Sequence, residues 1–410
     1  MIHHDDTMSI DRFCISAGVL GSDHHMTIDS DGISLSTMPP HDCWLLSGHF
    51  RNDDHLCLDT LLKLHGVWFN SQPDQRWKNM MASVGCVEDV PWSKVLPPSQ
   101  YKLHVKNLIK SVIAKSKDIS QEYYRNTWHP CGAIFRRLRP AKIDTSTYKS
   151  IIDAEGHGNG ALETFKPSSG GYASQVVYDR FGTRTGRLTV ESGPQILTLK
   201  KEHKKIIKSY YQDGRIVSLD FAALEARVLL FEAGHQPTSS DIYTQISKDL
   251  FEGRVERSII KVAVLSELYG ASRASLDHRL NMPSADLDVF IKSIKSYFKT
   301  AILKARLKEE FEKKGNITNK FGRPLFIDSK NSDYLLVNTY AQSTGADISL
   351  LGFSKITEAL GSDGIRPLFV LHDALILDVR PDRLRDVESI TSINISGYDH
   401  GFSIKPEVIG

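Results

Sequence analysis

Two carboxylates stand where isolated carboxylates are unwelcome. Asp220 closes the run Arg215-Ile-Val-Ser-Leu, and Asp373 lies between the apolar runs Leu368-Phe-Val-Leu371 and Leu375-Ile-Leu377. A charge in such surroundings costs several kcal/mol unless something compensates it, and a divalent cation is the usual compensation. Two aspartates brought together would hold a pair of Mg²⁺ ions about 4 Å apart, the arrangement used for in-line phosphoryl displacement. Each residue also has a plainer reading, Asp220 as the N-cap of the next helix and Asp373 as a turn residue. Taken alone, either is better explained that way.

The segment 254–268 shifts the balance. Arg257, Lys261, Leu265 and Tyr269 follow one another at steps of four, drifting only about 40° per step on a helix, so they share one face. Two cations followed by an aromatic can hold a triphosphate at one end and stack a base at the other. Gly270 permits a sharp exit. Ile259, Val262 and Ala263 are expected on the packing side. The plainer reading is a surface helix with two solvated cations.

The elements that must position these groups are legible in outline. Residues 215–220 read as a strand and 221–232 as a helix stopped by Gly234. Residues 286–314 read as a long charged helical region, and 368–377 as a buried hairpin with His372-Asp373 at its tip. Upstream, 99–130 shows helical spacing, the Gly/Ser/Pro-rich stretch 154–171 reads as a connecting loop, and residues 1–98 read as a separate unit of unknown role. A 410-residue chain with 40% hydrophobic and 24% charged residues has the composition of an ordinary globular protein of a few structural units. No apolar run approaches the roughly 20 residues of a membrane span. The start lacks the apolar stretch of a secretory signal. Five unpaired-looking cysteines argue for reduced thiols and against a disulfide framework.

The net charge of +2 conceals an asymmetry. The first hundred residues carry 13 acids against 6 Lys and Arg, whereas 101–150 carry 11 Lys and Arg against 3 acids. A second basic cluster follows at Lys200, Lys201, Lys204, Lys205 and Lys208. Such stretches suit a surface that tracks a phosphate backbone, or simply a solvated helical face.

Six motifs in order carry a family resemblance: Thr185-Gly186-Arg187-Leu188; Asp220-Phe-Ala-Ala-Leu-Glu225-Ala-Arg227; Arg257-x-x-x-Lys261 with Tyr269-Gly270; Phe321-Gly322-Arg323; Asn338-Thr-Tyr-Ala-Gln342 with Asp347-Ile348; and His372-Asp373. Together they resemble the motifs of family A DNA polymerases, the family of bacterial DNA polymerase I, over roughly residues 100–410. The resemblance implies an α+β right-hand fold with a β-sheet palm, helical fingers and a helical thumb. The expected division is a thumb over 99–165, palm over 166–235 and 330–410, and fingers over 236–329.

It also implies roles. Asp220, Asp373 and the main-chain carbonyl of Phe221 would bind two Mg²⁺ ions. Lys261 and Arg257 would hold the triphosphate of a dNTP, with Lys261 a candidate acid for the departing pyrophosphate. Leu265 would lie beneath the incoming sugar, Tyr269 would flank the nascent base pair, and Glu225 would fill the space of a ribose 2′-hydroxyl. Arg187, Asn338 and Gln342 would read the minor groove of primer–template DNA, with His372 beside the primer end.

Three positions depart from the family: Ala374 where a Glu usually follows His-Asp, Leu265 where Phe or Tyr is usual, and Tyr334 in place of an Arg. No proofreading exonuclease is expected, because the Asp-x-Glu that opens its metal site occurs before the palm only as Asp153-Ala-Glu155, read as chance. Scattered His3, His4, His24 and His25 read as surface residues. A separate exonuclease or a processivity factor is a candidate partner, and no membrane is. The architecture points to a bacteriophage replication or repair polymerase acting in a bacterial cytoplasm. Two rival readings share the palm: an RNA polymerase of the phage type, which Glu225 opposes, and a catalytically dead DNA-binding relative, which Ala374 and Leu265 keep open and the retained Asp220, Asp373, Lys261 and Arg257 oppose.

Overall fold

The computed structural model describes residues 10–48, 56–69, 75–85, 90–155, 160–237, 240–268, 273–280, 283–328 and 332–409. The chain forms two compact units, residues 1–129 and 130–410, so the first unit extends past the boundary expected at 98. It is built on a five-stranded sheet of β1 (Phe13–Ile15), β2 (His25–Asp29), β3 (Gly32–Ser36), β4 (Trp44–Leu46) and β5 (Leu56–Cys57). The spatial order is β3-β2-β1-β4-β5, with β1, β4 and β5 parallel and the β1-β2-β3 meander antiparallel. The long helix α1 (Pro98–Ser116) forms where helical spacing is expected and buries Val105, Leu108 and Val112, whereas Leu103 and Ile113 stay exposed.

The second unit is built around an antiparallel sheet. Its strands are β6 (Arg215–Phe221), β7 (Ile365–Leu371), β8 (Ala374–Val379), β9 (Ser392–Ile393) and β10 (Phe402–Val408), in the order β7-β8-β6-β10-β9. The period of two along β6 divides its side chains. Val217, Leu219 and Phe221 enter the main core, Ile216 a second core on the opposite face, and Asp220 stands exposed. Helices α3 (Leu224–Glu232) and α9 (Ser332–Leu360) pack behind the first face, after α2 (Thr145–Glu155) has passed earlier in the chain. Gly352 permits the approach of α9, since a Cβ there would lie 2.7 Å from Cζ of Phe221.

Between the two halves of the sheet come α4 (Ile242–Phe251), α5 (Arg257–Leu268), α6 (Arg273–Leu280), α7 (Ser284–Phe298) and α8 (Thr300–Lys314). The expected single helical region 286–314 is two helices, broken at Lys299, whose φ is +46°. The buried apolar residues of α5 are Ile260, Ala263 and Val264, with Ile259 and Val262 only partly covered. The packing face is therefore rotated by about one residue from the expected one, which leaves Arg257 and Lys261 exposed. Asp153-Ala-Glu155 ends α2 instead of lying in a loop.

Candidate active site

The two aspartates come together at the tip of the β7–β8 hairpin. Asp220 is opposite Ala374 in the β6–β8 register, and the amide of Phe221 donates to the carbonyl of Asp373 at 2.9 Å. The two-residue turn His372-Asp373 joins Leu371 to Ala374 and is tight enough to put His372 at φ +53°. After Asp220 the chain turns through Ala223, at φ +53°, into α3. The buried Arg227 holds that corner by donating to the carbonyls of Ala222 and Ser240, each at 2.8 Å.

Electrostatically the tip is short of positive charge. Burial pushes the Asp220 carboxyl up to about 6, helped by the neighbouring carboxylates of Asp373 and Glu407, while Lys405 and Lys204 partly offset them. Asp220 is open on its solvent side, so burial here means a concave position on the sheet, not enclosure. Asp373 is also raised, first by burial and then by Glu225, against His372 and Arg187. The His372 imidazole is lowered by burial and by Arg187. Carboxylate and carbonyl oxygens are the hard donors that Mg²⁺ prefers. Asp220, Asp373 and the Phe221 carbonyl thus have the chemistry to hold such ions, and the raised carboxyls are those a cation would relieve.

A cavity of about 150 Å³ opens beside the hairpin tip, lined by Arg187, Glu225, Gln342, His372 and Asp373 among others. Five residues singled out from four separate motifs thus share one pocket. Arg187 forms an ion pair with Glu225, which ties the proposed groove reader to the proposed sugar gate. Gly345 lets α9 come within contact of Leu224 and Glu225. Asn338, one turn before Gln342 on α9, has an enclosed Oδ1 with no hydrogen-bond partner among the described residues. Gly186, at φ +79°, is fixed by the guanidinium of Arg323, which occupies the space a Cβ would need. Arg323 in turn lies 3.8 Å from the buried Asp347, which accepts from Asn319 at 2.7 Å. The Gly-Arg turn therefore braces the Thr-Gly-Arg loop.

On α5, Arg257 donates to Asp241 at 2.6 Å and lies over the Tyr243 ring at 5.5 Å. Here it pairs with Asp241, the N-cap of the preceding helix α4. Lys261 is exposed one turn on, and Leu265 is half-buried against the main core. Tyr269 and Gly270 lie outside the described residues, as does the side chain of Tyr334.

Sequence reasoning did not find the second set of charges around Asp220. Glu407 faces the same side of the sheet, two register positions away (opposite Ser218), and Lys405 is directly opposite Asp220. Their signal was only the alternation of β10, the least motif-like strand of the palm.

Comparison with known proteins agrees with this geometry. The DNA polymerase family A model matches residues 162–407, more than half of the chain. The thermostable DNA polymerase I of Thermus thermophilus is 25% identical over 240 residues, covering 52% of this chain and 29% of that protein. A DNA polymerase of Bacillus phage SP01 is 24% identical over 254 residues, covering 51% and 27%. The chain thus spans less than a third of the length of these curated relatives. The POL domain of Pol1 from M. smegmatis, solved with primer-template DNA and dNTP, superposes with a TM-score of 0.56 at 12% identity, covering 98% of this chain and 95% of that one. The match over the palm and its intervening helices shows that the chain belongs to DNA polymerase family A.

Proposed function

We propose that this chain is a template-directed DNA polymerase that adds dNTPs to a primer 3′ end by two-metal nucleotidyl transfer. The observation that carries this reading is the meeting of Asp220 and Asp373 at one hairpin tip, beside the pocket that gathers Arg187, Glu225, Gln342 and His372. Mg²⁺ bound by Asp220, Asp373 and the Phe221 carbonyl would activate the 3′-hydroxyl and offset charge developing at the α-phosphate. The residues themselves supply position. Arg187 and Gln342 line the wall where the terminal base pair would rest. Glu225 fills the space beside the incoming sugar, and Lys261, on the exposed face of α5, is aligned for the triphosphate and for proton delivery to pyrophosphate. Arg257 joins it only after leaving Asp241. Tyr269 is assigned to the nascent base pair on the family resemblance and its helical step from Lys261.

The carboxylate of Glu225, held by Arg187, favours DNA over RNA synthesis. Ala374 opposite Asp220 removes a nearby acid, but Asp220, Asp373, Lys261 and Arg257 are all retained, and that retention favours an active enzyme over a dead relative. We further propose that the chain lacks proofreading, since Glu155 has another partner, His203, at 2.7 Å. Action in a bacterial cytoplasm in replication or repair, alongside a separate exonuclease or processivity factor, belongs to the same proposal. Primer extension with dNTPs and, separately, NTPs tests it. Templated dNTP incorporation in Mg²⁺, with little NTP use and no release of nucleotides from a mismatched 3′ end, is the expected result. Efficient NTP use would select the RNA polymerase reading, and tight primer–template binding without any extension the accessory one.

A further inference from the structure

The second basic cluster of the sequence acquires a geometry in the fold. Residues Lys201–Ile206 form a 3₁₀ helix, in which residues three apart eclipse one another. One row is structural. Lys200 lies 3.6 Å from Glu155, His203 is buried with its Nε2 2.7 Å from the same carboxylate, and Ile206 is fully buried. Glu155, at the end of α2, thus clamps the turn in place.

The remaining rows face the other way. Lys201, Lys204 and Lys205, with Glu202 on the same turn, line a basin of about 730 Å³ whose floor carries Asp220 and Glu407. Among the described residues none of the three lysines makes an ion pair or a side-chain hydrogen bond. Lys204 is half-buried and its ammonium is pushed down, first by burial and then by Lys201, while Asp220 opposes that shift. The three lysines share the concavity with three carboxylates, Glu202, Asp220 and Glu407, but among the described residues they form no ion pair with them, so their ammonium groups remain available to an anion. The basin lies on the opposite side of the hairpin tip from the Arg187–Glu225–Gln342 pocket, and Asp220 is the group common to its floor and to the chemistry.

We propose that Lys201, Lys204 and Lys205 bind the last phosphates of the primer strand and so hold its 3′ end over Asp220. This rests on the polymerase reading above. A strand that presents its 3′-hydroxyl at Asp220 must carry its terminal phosphates within a lysine's length of that carboxylate, and the basin is open enough to admit them. The triphosphate of the incoming nucleotide has its own cation in Lys261 on α5.

The test measures equilibrium binding of the full chain to a primer–template over a range of KCl, with either natural linkages or a neutral methylphosphonate at one of the last three primer positions. In the wild type the neutral linkage should weaken binding severalfold. The combined Lys201→Ala, Lys204→Ala, Lys205→Ala variant should bind natural DNA about tenfold more weakly. Its slope of log affinity against log salt should be shallower by about 2 to 3, at roughly 0.9 per phosphate contact. The neutral linkage should cost that variant nothing further, and the triple Lys→Arg variant should restore both affinity and slope. An equal methylphosphonate penalty in wild type and Ala variant overturns the proposal, as does a raised KM for dNTP with unchanged DNA affinity. A wild type that neither prefers a recessed 3′ end nor extends it would instead bring down the polymerase reading itself.

Discussion

The two five-stranded sheets of this protein show what separates a scaffold from a site. In the first unit the central strand β1, Phe13-Cys14-Ile15, is wholly buried and carries no charge. Its neighbours add Cys43 and Leu45 to the same apolar cluster, and the outer strand β3 leaves Ile33 and Leu35 exposed. In the palm the central strand β6 is equally apolar on one face, yet its other face ends in Asp220 beside Asp373 and Glu407. The same pleat that serves only packing in one sheet serves, in the other, to present acids that a cation would stabilise. A strand becomes functional where its alternation breaks at the end of an otherwise satisfied core.

The largest test of this contrast is in stability. Leu219→Ala, at a fully buried position on β6, should lower the unfolding free energy of its unit by about 2–5 kcal/mol. Ile33→Ala on exposed β3 should change it by no more than about 0.5 kcal/mol. Urea unfolding followed by tryptophan fluorescence and circular dichroism reads both. Comparable losses would mean that the first sheet's outer face is covered after all.

Function sharpens the contrast next. Leu265→Tyr brings a hydroxyl to the place assigned to the incoming sugar, where a hydrogen bond near charged phosphate is worth about 1.5–3 kcal/mol. Dideoxynucleotide use relative to dNTP should therefore rise about ten- to a hundredfold. An unchanged ratio, with both proteins active, would put Leu265 wholly in the core it already touches. Glu225→Ala should raise ribonucleotide incorporation relative to deoxynucleotide about tenfold by opening space near C2′. Because Arg187 then loses its ion-pair partner, the same variant should also bind primer–template with altered salt dependence. Single-nucleotide insertion with dNTP and NTP checks the first effect.

The smallest effect concerns the strain at Asp220. Its folded-state pKa of about 6 lies above the ordinary 3.8, so the folded protein favours the protonated form. The charged form costs stability above pH 6, and that cost fades as pH falls through 6 and is gone below about 4. Asp220→Asn should accordingly raise Tm by a few degrees at pH 8 in EDTA and by less at pH 5. The gain is kept small by solvent on the open side of the carboxylate. A lower Tm for the variant at pH 8 would show that Lys204 and Lys405 already satisfy Asp220.

Much of the site was legible because its residues are punctuation. Asp220 ends an apolar strand, His372-Asp373 breaks an apolar hairpin, and Gly186 stands where the chain turns at positive φ. The α+β palm was implied by the family resemblance of the six ordered motifs. What stayed hidden depended on tertiary neighbours. Nothing near Arg257 in the sequence announces that Asp241 would hold it across sixteen positions. The register of α5 was misjudged by one residue because Ile259, Ile260, Val262, Ala263 and Val264 are all apolar, and only the packed core decides among them. Asp153-Ala-Glu155 looked like a stray motif in a loop, whereas Glu155 closes a helix and clamps a 3₁₀ turn through His203. The period-three pairing of Lys200 with His203, and of Lys201 with Lys204, was present in the sequence, but a tight helix had to be assumed before it could be read.

The central claim is that Asp220 and Asp373 act together in metal-dependent nucleotide addition. Its most direct test is single-turnover incorporation of a templated dNTP in Mg²⁺ by the wild type, Asp220→Ala and Asp373→Ala, with primer–template affinity measured in parallel. The account predicts that each substitution lowers the rate by about a thousandfold or more, since a shared ligand of both ions has no substitute. Binding of primer–template should stay within about threefold of wild type, because phosphate contacts dominate it. Near-normal incorporation by either variant, or its loss only in step with lost DNA binding, would contradict the account.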